Sequence, residues 1–395
     1  MTPLMDPPRR LGLLPAAALL LQACSATGLG MPQDPGAETA NDGDRSVEVV
    51  TDESAEAASG ASYGHLPIGT QDAGLSFGNS KRWTGLRLNI RDHGVEEVTG
   101  VNLTFWTPGS PAIERFTGLA IGVTPAAAQA TGVSLGLLAT VADESMTGAQ
   151  VAGLATVSEG TLTGLSAAGL SVVAKGEMTG LSVAGLAVVS EADMTGLNVA
   201  GLAVVSEGRQ RGVNIAGLAL VSEGSKVGLN LAGLATVSQI DLSGVSAAGL
   251  VTVAEEDLRG INVSGLATVF GHELQGIAIA GLVVGDSGSS SLNFSPNSPP
   301  NSEYDTSASG VMLAGYRVQA NRIDGIAAAL LMTRSHDMAG LAIGAYNGVS
   351  GRQSGLSVGL YNHATELRGI QIGLLNHVAD NPKWLRWLPI VNARF

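Results

Sequence analysis

The chain has 395 residues, with 21 Lys and Arg against 34 Asp and Glu, for a net charge of −13. It contains 54 Gly and one Cys, and its aromatics are confined to 4 Trp, 5 Tyr and 6 Phe. That balance argues against a nucleic-acid binder, which needs clustered Lys and Arg, and one cysteine excludes an internal disulfide framework or a multi-cysteine zinc site.

Residues 1–23 read as a bacterial export signal. Arg9 and Arg10 supply the positive start, and Leu11 to Ala23 is an apolar run too short for a membrane span. The run ends in Leu21-Gln22-Ala23-Cys24, which resembles the lipobox of bacterial lipoprotein signal peptides. The resemblance implies cleavage before Cys24 and a lipid on its sulfur, so that Cys24 is the expected lipidation site. Ser25 stands where an Asp would favour inner-membrane retention, which points to the outer membrane, with the leaflet left open. Residues 24–62 then form an acidic tether. Eight acids from Asp34 to Glu56 face a single Arg45, a composition that cannot bury enough apolar area to offset its ordering entropy.

Residues 63–131 are irregular β repeats. Leu86, Leu88 and Ile90 alternate with Arg87, Asn89 and Arg91, which is the two-residue period of a strand. Over 132–286 the repeat becomes strict. Gly132, Gly148, Gly164 and their successors to Gly276 follow at 16-residue steps, and a second glycine runs at the same step from Gly153 to Gly281. Between them stands Gly-Leu-x-Val-Ala-Gly-Leu-Ala-x-Val-Ser, as in Gly196 to Ser206. So long a fixed period marks a repeat architecture. Two glycines per repeat oppose helix by about 2 kcal/mol, so the unit is read as strand and the fold class as all-β.

Two all-β arrangements fit: a tandem-repeat β-solenoid with one coil per repeat, or an antiparallel meander β-barrel with one strand per repeat. A meander places successive turns at opposite ends, yet the linkers show no odd-even alternation. A membrane barrel wants aromatic girdles, yet residues 132–286 hold Phe270 and no Trp or Tyr. The solenoid is therefore the leading expectation, with Leu197, Val199, Leu202 and Val204 or Val205 pointing inward. A single repeat is too small to fold alone, so stability must come from stacking.

Residues 287–309 form a Ser/Pro/Asn-rich loop, the expected variable or binding segment. Residues 310–379 resume the repeat at 14 to 15 residues, and 380–395, with Trp384 and Trp387, read as a C-terminal cap.

Candidate chemistry is sparse. Ser134 and Ser357 lie in Gly-x-Ser-x-Gly, the nucleophile-elbow pattern, but each Ser fills a position that Asn198 or Gln371 fills elsewhere, so the match follows from the repeat. His363 and His377 fall 14 residues apart, close enough in stacked strands to be neighbours, and read as part of an exposed polar ladder rather than a metal site. Thr156, Thr236, Thr252 and Thr268 share a column with Val172 and Leu220; a regular Thr rank would suggest an ice- or crystal-binding face, whereas this mixed one reads as strand packing. Arg209, Arg211 and Lys226 read as a solvated basic spot on turn edges. No catalytic residue, metal ligand or cofactor site is expected.

The tail repeats Gly355-Leu356-Ser357-Val358-Gly359-Leu360-Tyr361-Asn362 and Gly369-Ile370-Gln371-Ile372-Gly373-Leu374-Leu375-Asn376 resemble the spirochaete-type surface-repeat proteins of double-membraned bacteria. The ending from Asp380-Asn381-Pro382 to Phe395 is similar to their C-terminus. The resemblance spans roughly residues 80–395 and implies an exported, envelope-associated repeat protein, with no catalytic residue carried over. The expected function is a lipid-anchored cell-envelope scaffold or binding surface without enzymatic activity. Its expected partners are the membrane, through the lipid on Cys24, and an unidentified protein or glycan. An outer-membrane barrel or pore and, more weakly, an esterase stand as the alternatives.

Overall fold

The computed structural model describes residues 65–70, 72–109, 112–287 and 306–395. The expected signal peptide, Cys24, the acidic tether and most of the Ser/Pro/Asn-rich loop lie outside the described residues.

The described residues form 31 strands and no α-helix. One coil of the regular array shows the plan. The strand Met194–Ala200 bends at Gly201 and Leu202 into the shorter strand Ala203–Ser206. A turn over 207–209 then leads to Gln210–Ala216, one coil further on. Met194 pairs with Gln210 and Ala203 with Ala219, in parallel and in register. Steps other than 16 are absorbed in the turns, since Gly85, Gly100, Gly118 and Gly132 still pair in succession. The long insertion behaves likewise: Gly276 pairs with Gly310 as though nothing intervened. The array resumes slightly before the expected loop ends, because Ser307–Ala314 is already strand.

The chain is thus a β-solenoid and not a barrel. A meander barrel needs antiparallel neighbours and a closed sheet. Here successive coils are parallel, and among the described residues only the two ends carry antiparallel strands. His65–Gly69 covers the first edge by pairing with Ala73–Gly78, and Trp387–Arg394 covers the last by pairing along residues 369–377. Covered edges blunt the tendency of open strands to recruit further chains.

The glycine period has a steric cause. A Cβ on Gly201 would stand 2.0 Å from the carbonyl oxygen of Gly185 in the preceding coil. At Gly196 the same clash with Gly180 is compounded by a φ of 125°, a backbone conformation L side chains rarely adopt. Each coil can lie on the last only where both columns lack side chains.

The inward and outward faces differ from expectation. Leu197 and Leu202 are exposed and Val199 is half-buried, whereas Met194, Asn198, Val204 and Ser206 are fully buried. Of the residues expected inside, only Val204 lies there. Val205 sits on the outer side, buried in a small cluster with Ala187, Val189 and Ala203. The reason is width. Two strands joined by a two-residue bend leave a thin interior, with room for Ala200 and Asn198 toward the bend, Ser206 at the turn, and larger groups at Met194 and Val204. Stacking supplies partners for part of the polar columns, although Asn198 Oδ1 and both ends of the Gln150 amide have none. Asn198 Nδ2 donates to Asn214 Oδ1 at 3.0 Å, and Asn214 Nδ2 donates to Asn230 Oδ1 at 3.1 Å. Buried amides bonded along the stack avoid the cost of an unmet hydrogen bond.

Candidate functional site

With the long and short strands facing one another, the bend at Gly201-Leu202 and the turn over 207–209 are opposite ends of each coil's cross-section. Charge is partitioned between these ends. In the nine coils from Val133 to Phe270, the ten residues that begin just after the first glycine (197–206 in the coil above) contain no Asp, Glu, Lys, Arg or His. Every charge in that stretch falls in the six-residue segments around the turns, such as Glu207 to Gly212.

At the uncharged end runs a ridge of leucines, one per coil. Leu154, Leu186, Leu218 and Leu250 are 41–44% exposed, and Leu282 reaches 49%. Their backbones continue the stack: Leu202 N donates to Leu186 O at 2.8 Å, and Leu218 N donates to Leu202 O at 2.8 Å. Beside the ridge lie the outward columns of Leu197 and Val199. A corner that encloses its own core is convex, so the ridge projects.

The opposite end is acidic. Glu207 has its carboxyl pushed above the usual range, first by partial burial and then by Glu223 and Glu191 one coil to either side. Asp143 is raised likewise, by burial and then by Glu159 and Glu144. Some acids are paired, Glu159 with Lys175 at 2.9 Å and Asp193 with Arg209 at 3.4 Å. These contacts are solvent-exposed and contribute little stability.

A column of hydroxyls flanks this edge. Thr84, Thr99, Thr117, Thr131, Thr147, Thr163, Thr179 and Thr195 occupy eight successive coils, all exposed and paired in register. The rank ends where Thr195 meets Arg211. Sequence reasoning missed it by examining a different column. Thr156, Thr236, Thr252 and Thr268 point into the core, where Thr140 Oγ1 donates to Thr156 Oγ1 at 3.1 Å. The visible signal was the Thr-Gly pair that recurs from Thr84 to Gly196.

At the C-terminal end the expected histidine neighbours do meet. His363 and His377 stack with ring centroids 4.9 Å apart, and His377 lies 4.2 Å from the Trp387 ring. Burial, then His377, lowers the His363 pKa; burial, then Arg386, lowers that of His377. Behind them a buried ladder runs from Asn347 Nδ2 to Asn362 Oδ1 at 2.7 Å and from Asn362 Nδ2 to Asn376 Oδ1 at 2.8 Å. The amide ladder is interior, so only the histidines form the outer part. Among the described residues no three His, Cys, Asp or Glu side chains gather as a metal site would require.

At the N-terminal end a cleft of about 840 Å³ is lined by Phe77, Leu88, Ile90 and Phe105 with Asn79 and His93. Its polar wall is already engaged: Asn79 Oδ1 accepts from Arg87 Nη2 at 2.8 Å, and the buried Arg87 pairs with Asp92.

Two sequence readings change. Lys226 is not on a solvated turn edge; it is fully buried in the inward column between Gln210 and Leu242, and its Nζ has no hydrogen-bond partner. Burial drives its pKa well below the lysine range. Arg209 and Arg211 do remain at the surface. Ser134 and Ser357 are buried, inward-facing strand residues, and Ser357 takes its place in a column between Ala342 and Gln371. Neither sits on the strand-to-helix turn that exposes a nucleophile.

Comparison with protein-family models, with curated proteins and with solved structures found no match for this chain.

Proposed function

We propose that the protein is a lipid-anchored component of the bacterial outer membrane, acylated at Cys24, whose repeat array is a non-catalytic scaffold or binding surface of the surface-repeat kind. The observation that carries this reading is the regularity of the outer face. The same side chains recur in register from coil to coil, giving a rod with one extended, repeating surface instead of one concave pocket. Extended repeating surfaces are how solenoids engage partners. The lipobox-like Leu21-Gln22-Ala23-Cys24 supports the anchor, and the acidic tether supports repulsion from anionic lipid. The test is incorporation of labelled palmitate followed by membrane fractionation. Label in the outer-membrane fraction that is lost in Cys24→Ala is the expected result; no label in the native chain overturns the anchor.

The threonine rank favours a second reading, binding to ice. Parallel strands set its hydroxyls about 4.8 Å apart, which makes the regular rank that an ice-binding face would need. None of the eight hydroxyls has a protein partner. Inhibition of ice recrystallisation that disappears in the double variant Thr147→Lys/Thr163→Lys is the expected result. Growth of ice crystals unaffected by the native chain rejects it.

A further inference from the structure

We propose that the leucine ridge is a lipid-docking edge, along which the rod lies in a neutral bilayer surface with its acidic edge in water. The proposal extends the membrane assignment above, but it does not depend on acylation. Nine consecutive leucines stand at 16-residue steps from Leu154 to Leu282, a ridge roughly 38 Å long at the spacing of parallel strands. The exposed apolar strip around it takes in the outward Leu197 and Val199 columns but not Ala203 and Val205, which are buried, and covers on the order of 600 Å², the upper end of what an ordinary soluble monomer exposes. Such a surface needs an occupant.

Shape selects the occupant. Two copies meeting ridge to ridge would touch along a strip roughly 10 Å wide, about 380 Å² per partner, half of what a stable interface buries. Fluid acyl chains, by contrast, mould themselves to a convex edge. Leucine side chains projecting from a corner match the shallow depth, about 5–10 Å, to which interfacial elements enter a membrane. Charge selects the lipid. Burying the ridge desolvates no charged group, because the acids and bases of these coils lie at the opposite end. A net charge of −13 opposes anionic headgroups, so zwitterionic lipid is the expected surface.

The test places a single fluorescent label on either end of the same coil. The full chain carries Cys24→Ser, so that one new cysteine, Leu202→Cys or Glu207→Cys, takes an environment-sensitive dye. The apolar residues 1–23 are common to both proteins and cannot account for a difference between them. With phosphatidylcholine vesicles, the dye at 202 should shift to the blue and be quenched at least threefold more by nitroxide-bearing lipid than the dye at 207. Equal quenching at the two positions, or none at either, overturns the proposal. A dye at 202 shielded without lipid, with doubled mass by light scattering, overturns it in favour of a second copy. The two reporters stand in one fold, and circular dichroism that matches the native chain confirms that each is folded. Loss of acylation with quenching intact would remove the anchor and leave the docking edge standing.

Discussion

His363 Nδ1 and His377 Nδ1 lie 2.8 Å apart, so one ring must donate its proton while the other offers a lone pair. The bond is lost once both rings are protonated, and both pKa values are lowered in the fold, chiefly by burial. Between the folded pKa and the ordinary imidazole value of about 6.5, the unfolded chain binds more protons than the native one. This contribution is complete above about 6.5 and is lost as pH falls below it. Amide hydrogen exchange over 370–378 should accelerate as pH drops from 7 to 5, after correction for intrinsic rates, and His363→Gln should remove most of that dependence.

Lys226 gives a second pH dependence, on the alkaline side. Its amine is buried without a partner, and burial lowers its pKa well below that of the unfolded chain. From the folded pKa up to the ordinary lysine value the unfolded state holds the extra proton, so stability rises with pH. Lys226→Met, matching Met178 and Met194 in the same column, should stabilise the fold by about 1–3 kcal/mol at neutral pH, the cost of an unmet buried polar group. The gain should shrink as pH rises toward 10, a trend urea denaturation at several pH values would reveal.

Asn214 occupies the middle of an amide ladder, accepting from Asn198 and donating to Asn230. Asn214→Ala breaks both bonds and strands the Asn198 amide inside the core. A loss of about 2–3 kcal/mol is expected. Thr195→Ala, in the outward rank of the neighbouring coil, should stay within about 0.5 kcal/mol. Thermal melts of the two variants side by side measure the contrast.

Gly201→Ala should be costlier than its size suggests, because the new methyl meets the Gly185 carbonyl oxygen. Coils would have to separate locally, and a loss of about 1–3 kcal/mol follows from overpacking alone. Gly208, in the turn, lies near the Asp193 side chain and backbone of the previous coil, so Gly208→Ala should also destabilise, although a turn can shift more readily than a stacked strand. Denaturation midpoints should rank the two with Gly201→Ala the lower.

Removing residues 380–395 strips the antiparallel strand from the last coil and leaves the edge along 369–378 bare. An uncovered parallel edge recruits other chains. The shortened protein should aggregate at concentrations where the full chain does not, as light scattering over time would show.

The sequence by itself determined an all-β repeat architecture. Two glycine columns at one fixed step, strands between them and turns without alternation favoured stacked coils over a meander barrel, because the steric demand that creates the glycines is local and repeats identically. The parallel pairing of successive coils decided between the two. It also brought His363 and His377 together, since register follows from period. Tertiary structure decided which side of each strand faces in. Leu197 and Asn198 belong to opposite phases of the same alternation, and composition favours burying the leucine. The coil closes too tightly for that choice, and stacking gives Asn198 a partner that no isolated repeat could provide. From this one inversion come the projecting leucine ridge, the buried amine of Lys226 and the outward rank of threonines. The recurring Thr-Gly pair marked the threonine rank along the chain, but the direction each of these columns faces depends on what lies one coil above and across a narrow core.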